Sequence, residues 1–458
     1  MNKNVLSLFG ANIIYLIINV LNSFLLPKFL SIETYAVVKT YTLYIGYAGF
    51  LSLGYADGMY LRYGGEHIEK IKRDELGENY KSYLALEIVV SLICFLFGIA
   101  IKDYVVIFFA IGSLFINLIG YYKNLYQALG EYKLYGQSLN YQTIVLFILN
   151  LILMFGLKSD ISTWYIAIQV GSAFITMIYL TLVLNKRTSF LRRGHPSFKQ
   201  IRENVTSGFI LMLGNFSSSL FTSLDRWFVK VFMSSIYFAQ YSFAVSLENI
   251  VNVFVTPITI SLYNEFCINR SPLYVKKIKK MLLIWGCFII SAAFPIKFII
   301  QLWLPEYRGS LAILFPLIGA QAFYVIVKGI HVNMYKAEKK QQRYFFVLCA
   351  MLVTAVVTNF GFYFVFKTVW SFSLATFVTA AIWFVFCEIE TKPLRLGCKV
   401  NLIFFLVLVS YFIASTIENA IVGLLFYWFL LFSFSFLFMR ETVVEILNIG
   451  RRFIGKRI

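Results

Sequence analysis

The sequence predicts an all-α, polytopic membrane protein. It comprises two pseudo-symmetric six-helix bundles plus an extra C-terminal helix pair, about fourteen transmembrane helices, with both termini cytoplasmic. Three observations predict this. The 458 residues are 60% hydrophobic and only 14% charged, where a soluble domain carries about 25% charged residues. Apolar runs of about 20 residues recur along the whole chain, the length that crosses ~30 Å of hydrocarbon. Lys and Arg gather in alternate loops, which hold roughly three quarters of the 41 and so mark the cytoplasmic side.

The expected spans run 6–27, 34–57, 80–101, 104–122, 135–157 and 161–185 in the first bundle (1–185). A basic cytoplasmic linker, 186–204, leads to the second bundle (205–390), with spans 205–232, 237–263, 279–303, 309–335, 343–366 and 369–388. The extra pair, 399–416 and 420–439, lies in 391–458 with a basic tail. The N-terminal run lacks a small-residue cleavage site and reads as a retained helix, not a signal peptide. The longest loops, 58–80 and 186–204, are too short for a catalytic domain, so the chain reads as a non-enzyme. The net charge of +19 belongs to orienting loops, which excludes nucleic acid as a partner. The six Cys and three His are scattered without ligand or disulfide spacing, so no metal is implied. There is no Gly-rich phosphate loop and no cofactor is implied, so transport energy must come from an ion gradient, the membrane potential or the solute gradient.

The seventh span, VTSGFILMLGNFSSSLFTSLDRWFVKVF, carries an adjacent Asp225 and Arg226. At ~100° per residue, Asn215, Ser218, Ser219, Thr222, Asp225 and Arg226 share an arc of about 120°. Ionisable residues inside a span mark functional sites by default, although a self-neutralising pair could simply lock helices. A shift of 203 residues lays Asn12, Tyr15, Asn19, Asn22 and Ser23 on Asn215, Ser218, Thr222, Asp225 and Arg226. The match continues with Ser31 on Ser234 and Ala36 on Ala239. Such a repeat implies two parallel halves whose first helices face a central cavity.

The eighth span has its own polar stripe, Ser242, Ser246, Asn249, Asn252 and Thr256, with Glu248 beside it. Lys39 and Asp57 lie in the second span, and Lys328 in the tenth with His331 a turn later. The expected substrate cavity therefore combines Arg226, Lys39, Lys328, Asn22, Asn215 and Asn249. Arg and Lys suit the oxygens of an anionic solute such as a diphosphate. Asp225, Glu248 and Asp57 are candidates for H+ or Na+ coupling or for charge pairing. Lys39 and Lys328 could instead snorkel to an interface, and Lys28, Lys230 and Lys297 read as interface anchors. Pro257, Pro295 and Pro316 are candidate kinks.

SLDRWFVKVFMSSIYFAQYSFA (223–244) resembles the seventh-helix region of bacterial polysaccharide repeat-unit flippases. FLLPKFLSIETYAVVKTYTLYIGYAGFLSLGYADGMYLRYGG (24–65), with Arg62, is similar to their opening hairpin, YYKNLYQALGEYKLYGQSLN (121–140) to their fourth-to-fifth connection, and MYKAEKKQQRYFF (334–346) to the entry into helix 11. These flippases serve O-antigen and capsule synthesis within the multidrug/oligosaccharidyl-lipid/polysaccharide exporter superfamily. The resemblance implies alternating access and a cargo of undecaprenyl-diphosphate-linked oligosaccharide. That cargo would move from the cytoplasmic to the outer leaflet of the bacterial inner membrane, with membrane lipids and polymerase or chain-length machinery as partners. The family is commonly drawn with twelve helices. Fourteen leaves open the lipid-linked peptidoglycan-precursor flippases, although the first two spans lack a cluster of arginines. A drug/cation antiporter of the same superfamily is the other alternative, and it should have an acidic, aromatic cavity.

Overall fold

The computed structural model describes residues 3–69 and 71–455. Among the described residues there is no strand. Ten of the described helices are long and apolar enough to cross a membrane, beside a shorter apolar helix over Leu16–Phe29. The chain is a multi-pass membrane protein. Contacts divide it into two compact units, Met1–Thr222 and Ser223–Ile458.

The first unit contains α1 (Lys3–Phe29), α2 (Ile32–Ile45), α3 (Tyr55–Arg62), α4 (Arg73–Ala100), α5 (Tyr104–Ala128), α6 (Tyr132–Leu151, continued by one π turn), α7 (Ser162–Thr188) and most of α8 (Phe198–Phe232). Local chemistry starts its helices. Ser31 caps α2 by accepting from the Thr34 amide at 3.3 Å. Asp103 caps α5 by accepting from Val105 and Val106 at 2.8 and 3.3 Å.

The stretch 34–57, expected as one span, is broken. α2 stops at Ile45, a 3-10 turn covers Ala48–Ser52, and α3 starts at Tyr55. Leu53 and Gly54 between them take positive φ, 52° and 85°. Gly54 also lies so close to the backbone of Gly208 in α8 that an added Cβ would collide with it. The break puts Asp57 in the first turn of α3, the end at which the helix dipole favours a carboxylate.

The core of this unit is unusually rich in tyrosine. Tyr55 and Tyr83 stack at 4.9 Å, and Tyr83 and Tyr121 at 5.4 Å. Their hydroxyls are satisfied inside: Tyr55 donates to the Asn79 carbonyl at 2.8 Å, Tyr121 to Asn79 Oδ1 at 3.1 Å and Tyr83 to the Asn117 carbonyl at 3.3 Å. A buried ring thus contributes apolar area while its polar tip keeps a partner. The basic linker is fastened to the start of α4. Lys81 Nζ donates to the Gly194 carbonyl at 2.9 Å, and the Ser197 amide to Ser82 Oγ at 2.8 Å.

The second unit contains the end of α8, then α9 (Ser235–Ile268), α10 (Pro272–Ile290), α11 (Ala293–Trp303), α12 (Leu311–Ile326), a π segment over Val327–Val332, α13 (Asn333–Ala337), α14 (Gln341–Phe366), α15 (Trp370–Glu390), α16 (Cys398–Thr416) and α17 (Ala420–Gly455). The expected kink at Pro295 is the break between α10 and α11, and Pro316 sits inside α12. The side chains of Pro257, Thr256, Asn12 and Tyr15 lie outside the described residues. The last helix pair is part of this unit. Tyr427 donates to the Cys287 carbonyl at 2.7 Å and Tyr411 to the Phe315 carbonyl at 3.1 Å. Lys297 is 5% exposed and donates to the carbonyls of Ser415 and Ile417 at 2.9 and 2.6 Å. It is a tie at the C-terminal end of α16, where carbonyls lack helical partners.

The 203-residue shift is visible in helix boundaries. α1 ends at Phe29 and α8 at Phe232, and the N-caps of α2 and α9 are Ser31 and Ser234.

Candidate functional site

In the first unit a cavity of about 230 Å³ opens among α3, α5, α8 and the turn after α2. Asp57, Asn117, Asn124 and Asn215 supply its polar wall, and Phe50 and Phe216 part of its apolar wall. Asn215 Nδ2 donates to Asp57 Oδ1 at 3.2 Å, so two predicted site residues, 158 positions apart in sequence, meet here. Phe50 and Phe216 stack at 4.4 Å, and Tyr47 meets Phe216 edge-on at 5.9 Å. An added Cβ at Gly49 or Gly120 would enter open space, so bare backbone lines part of the cavity. Asp57 is the one charged lining residue among those described.

Behind Asn117 stands a residue that sequence reasoning missed. Glu87 of α4 is wholly buried and accepts from Asn117 Nδ2 at 2.9 Å. Its other oxygen, Oε1, is buried without a hydrogen-bond partner among the described residues. Its position in the third expected span was the available signal. Asn22 is elsewhere in this unit, accepting from Asn150 Nδ2 at 3.4 Å. Lys39 lies over the Tyr35 ring at 5.2 Å, a cation–π contact one helical turn long.

In the second unit Asp225 is buried and fully engaged. Its Oδ1 accepts from the Arg226 amide at 2.8 Å, and its Oδ2 from the hydroxyls of Tyr241 at 2.6 Å and Thr376 at 3.3 Å. No ion pair joins its carboxylate to the Arg226 guanidinium among the described residues. Arg226 Nε is buried and makes no hydrogen bond among them. Glu248 accepts from Gln321 Nε2 at 2.5 Å. Lys328 lies over the Tyr324 ring at 5.0 Å, repeating the Lys39–Tyr35 arrangement. Asp225, Lys328 and Arg226 all lie within electrostatic reach of Glu248, so four predicted charges cluster, two of each sign. Asn249, next to Glu248, is exposed.

A second buried constellation was not expected. Lys279 of α10 pairs with Glu388 of α15, and both are buried. Lys279 also donates to the Leu394 carbonyl at 3.2 Å, the Leu396 amide donates to Glu388 at 3.3 Å, and His331 Nε2 lies 3.7 Å from Glu388. It joins two helices to the segment before α16.

Comparison with solved structures establishes the fold. The structure titled "Lipid II flippase MurJ, inward closed conformation" matches with a TM-score of 0.73 at 13% identity, covering 97% of this chain and 100% of that one. An inward-facing multidrug resistance MATE family transporter of the MOP superfamily matches with a TM-score of 0.56 at 15% identity, covering 84% of this chain and 95% of that one. The MATE multidrug transporter DinF-BH gives 0.53 at 16% identity, covering 87% and 97%. No curated protein matches the sequence. The family model described as polysaccharide biosynthesis protein matches residues 1–263, more than half of the chain. With its multi-pass helical structure and transporter fold, the chain belongs to the polysaccharide biosynthesis protein family.

Proposed function

We propose that this protein is a flippase. Its cargo is undecaprenyl-diphosphate-linked oligosaccharide repeat units, which it moves from the cytoplasmic to the outer leaflet of the bacterial inner membrane by alternating access, for O-antigen or capsule synthesis. Family membership supports the polysaccharide setting. The whole-length likeness to a lipid II flippase supports a lipid with a polar head as cargo. The observation that carries the reading is Arg226, a cation in α8 with no ion pair among the described residues and a buried, unpartnered Nε. An uncompensated buried donor costs stability, and a diphosphate oxygen would complete it with a charge-assisted bond. A sugar diphosphate cannot cross ~30 Å of hydrocarbon unaided.

The test is complementation of a strain lacking its own repeat-unit flippase. Arg226→Glu should abolish surface polysaccharide while the protein still accumulates in the membrane. Arg226→Lys, which keeps the charge but not the two-pronged geometry, should leave a reduced yield. Normal polymer from Arg226→Glu would remove Arg226 from the site.

A second reading, an ion-coupled drug/cation antiporter, is favoured by the first unit's cavity, whose one described charge is the Asp57 carboxylate beside aromatic rings. It requires a strain deleted for this protein to become sensitive to lipophilic cations. Unchanged sensitivity together with lost polymer would leave the flippase.

A further inference from the structure

The cavity of the first unit has its own recognition chemistry. Asn117 spends both amide hydrogens, on the Ala48 carbonyl and on Glu87 Oε2, each at 2.9 Å. It can therefore offer a ligand only its carbonyl oxygen. Asp57 retains Oδ2 beyond its contact with Asn215. Asn124 makes no side-chain hydrogen bond among the described residues and can both donate and accept. Facing these groups is the aromatic wall of Phe50, Phe216 and Tyr47, with Phe50 38% exposed.

We infer that this cavity is a carbohydrate subsite that takes one sugar residue of the cargo. The inference rests on the flippase reading above and names where the sugar would sit. A pyranose presents hydroxyl donors, which Asp57 and Asn117 accept, and hydroxyl oxygens, which Asn124 and Asn215 can reach with amide hydrogens. Its C–H face, slightly positive, suits the negative face of an aromatic ring. A diphosphate would meet no cation among the described lining residues, and the Asp57 carboxylate would repel it. A lipophilic cation would use Asp57 and the rings but leave the amides unmatched. The cavity, about 230 Å³, has room for a sugar ring. The rest of an oligosaccharide would extend through the open side.

Gly120 offers the sharpest test, because it lines the cavity and a Cβ added there meets nothing within 4 Å. Purified wild-type protein, Gly120→Leu and Asn124→Ala are each titrated by native mass spectrometry with three probes. These are the lipid-linked oligosaccharide pool extracted from the source strain, undecaprenyl diphosphate without sugar, and the lipophilic cation tetraphenylphosphonium. Wild type is expected to bind the sugar-bearing pool at least tenfold more tightly than the bare carrier. Both variants should erase that preference and leave binding of the bare carrier unchanged. If Gly120→Leu is not monodisperse, Asn124→Ala decides. A folded variant that keeps the sugar preference overturns the inference. So does one that loses both lipids equally, or one that loses tetraphenylphosphonium binding while the sugar preference stays. Wild type that binds neither lipid overturns the flippase reading itself, a result distinct from any of these.

Discussion

At the scale of single residues, the second unit sets two buried acids in different circumstances. Asp225 is surrounded by donors from Tyr241, Thr376 and a backbone amide, whereas Glu388 is balanced by the ammonium of Lys279. Breaking a buried pair by removing one partner costs about 3–5 kcal/mol, while replacing both with apolar groups is often neutral. Lys279→Met should therefore lower the melting temperature in detergent sharply, and Lys279→Met with Glu388→Leu should recover most of the loss. A single variant as stable as wild type would refute the pairing. Asp225 and Arg226 could be read from sequence because a charge stands out in an apolar run. Their relation could not be read. Successive helical residues point about 100° apart, so adjacency in sequence separates the two side chains instead of pairing them. Lys279 and Glu388 escaped notice because they fall at the ends of expected spans, where charges usually belong to loops, and only packing distinguishes a buried one. Glu87 does lie inside a span, but the 203-residue shift sets it on Ile290, so the repeat gives it no polar counterpart.

At the scale of elements, glycines set how α3 meets α8. An added Cβ at Gly58 or Gly208 would run into the other helix's backbone, whereas one at Gly214, two turns on, meets nothing within 4 Å. Gly208→Val should therefore unseat α3 and disturb Asp57, reducing both thermal stability and polymer yield. Gly214→Ala should be neutral or stabilise by roughly 1 kcal/mol, the helix-propensity difference. The same melting assay checks both. Most helices were legible because a spanning run needs about 20 apolar residues, and the repeat was legible down to its capping serines. The break of 34–57 was missed. Gly46, Gly49 and Gly54 were the local signal there, and Gly54 takes the positive φ at the break.

At the scale of the whole molecule, charge is distributed unevenly between the units. The first unit's cavity holds a carboxylate, amides and rings, and the second unit holds a balanced cluster of two acids and two bases. Two polar halves were anticipated by the repeat, which overlays Asn22 on Asp225. The overlay also marks the second half as the charged one, but Asn117, Asn124, Tyr241 and Gln321 were not anticipated, because they are uncharged and nothing in the local pattern marks them. Lys297 also ties biogenesis to the end of the chain. Its ammonium is held by carbonyls 118 and 120 residues downstream. At about 5–20 residues per second, the ribosome delivers those partners roughly 6–24 s after Lys297 itself. During that interval the nascent helix carries a cation without its carbonyl partners, a cost inside a bilayer. A chain truncated before α16 never discharges that cost, so it should be degraded, and Lys297→Leu in the truncated chain should restore part of its membrane level on immunoblots. Quality control would then have a built-in signal of incomplete synthesis, released only when the C-terminal hairpin arrives.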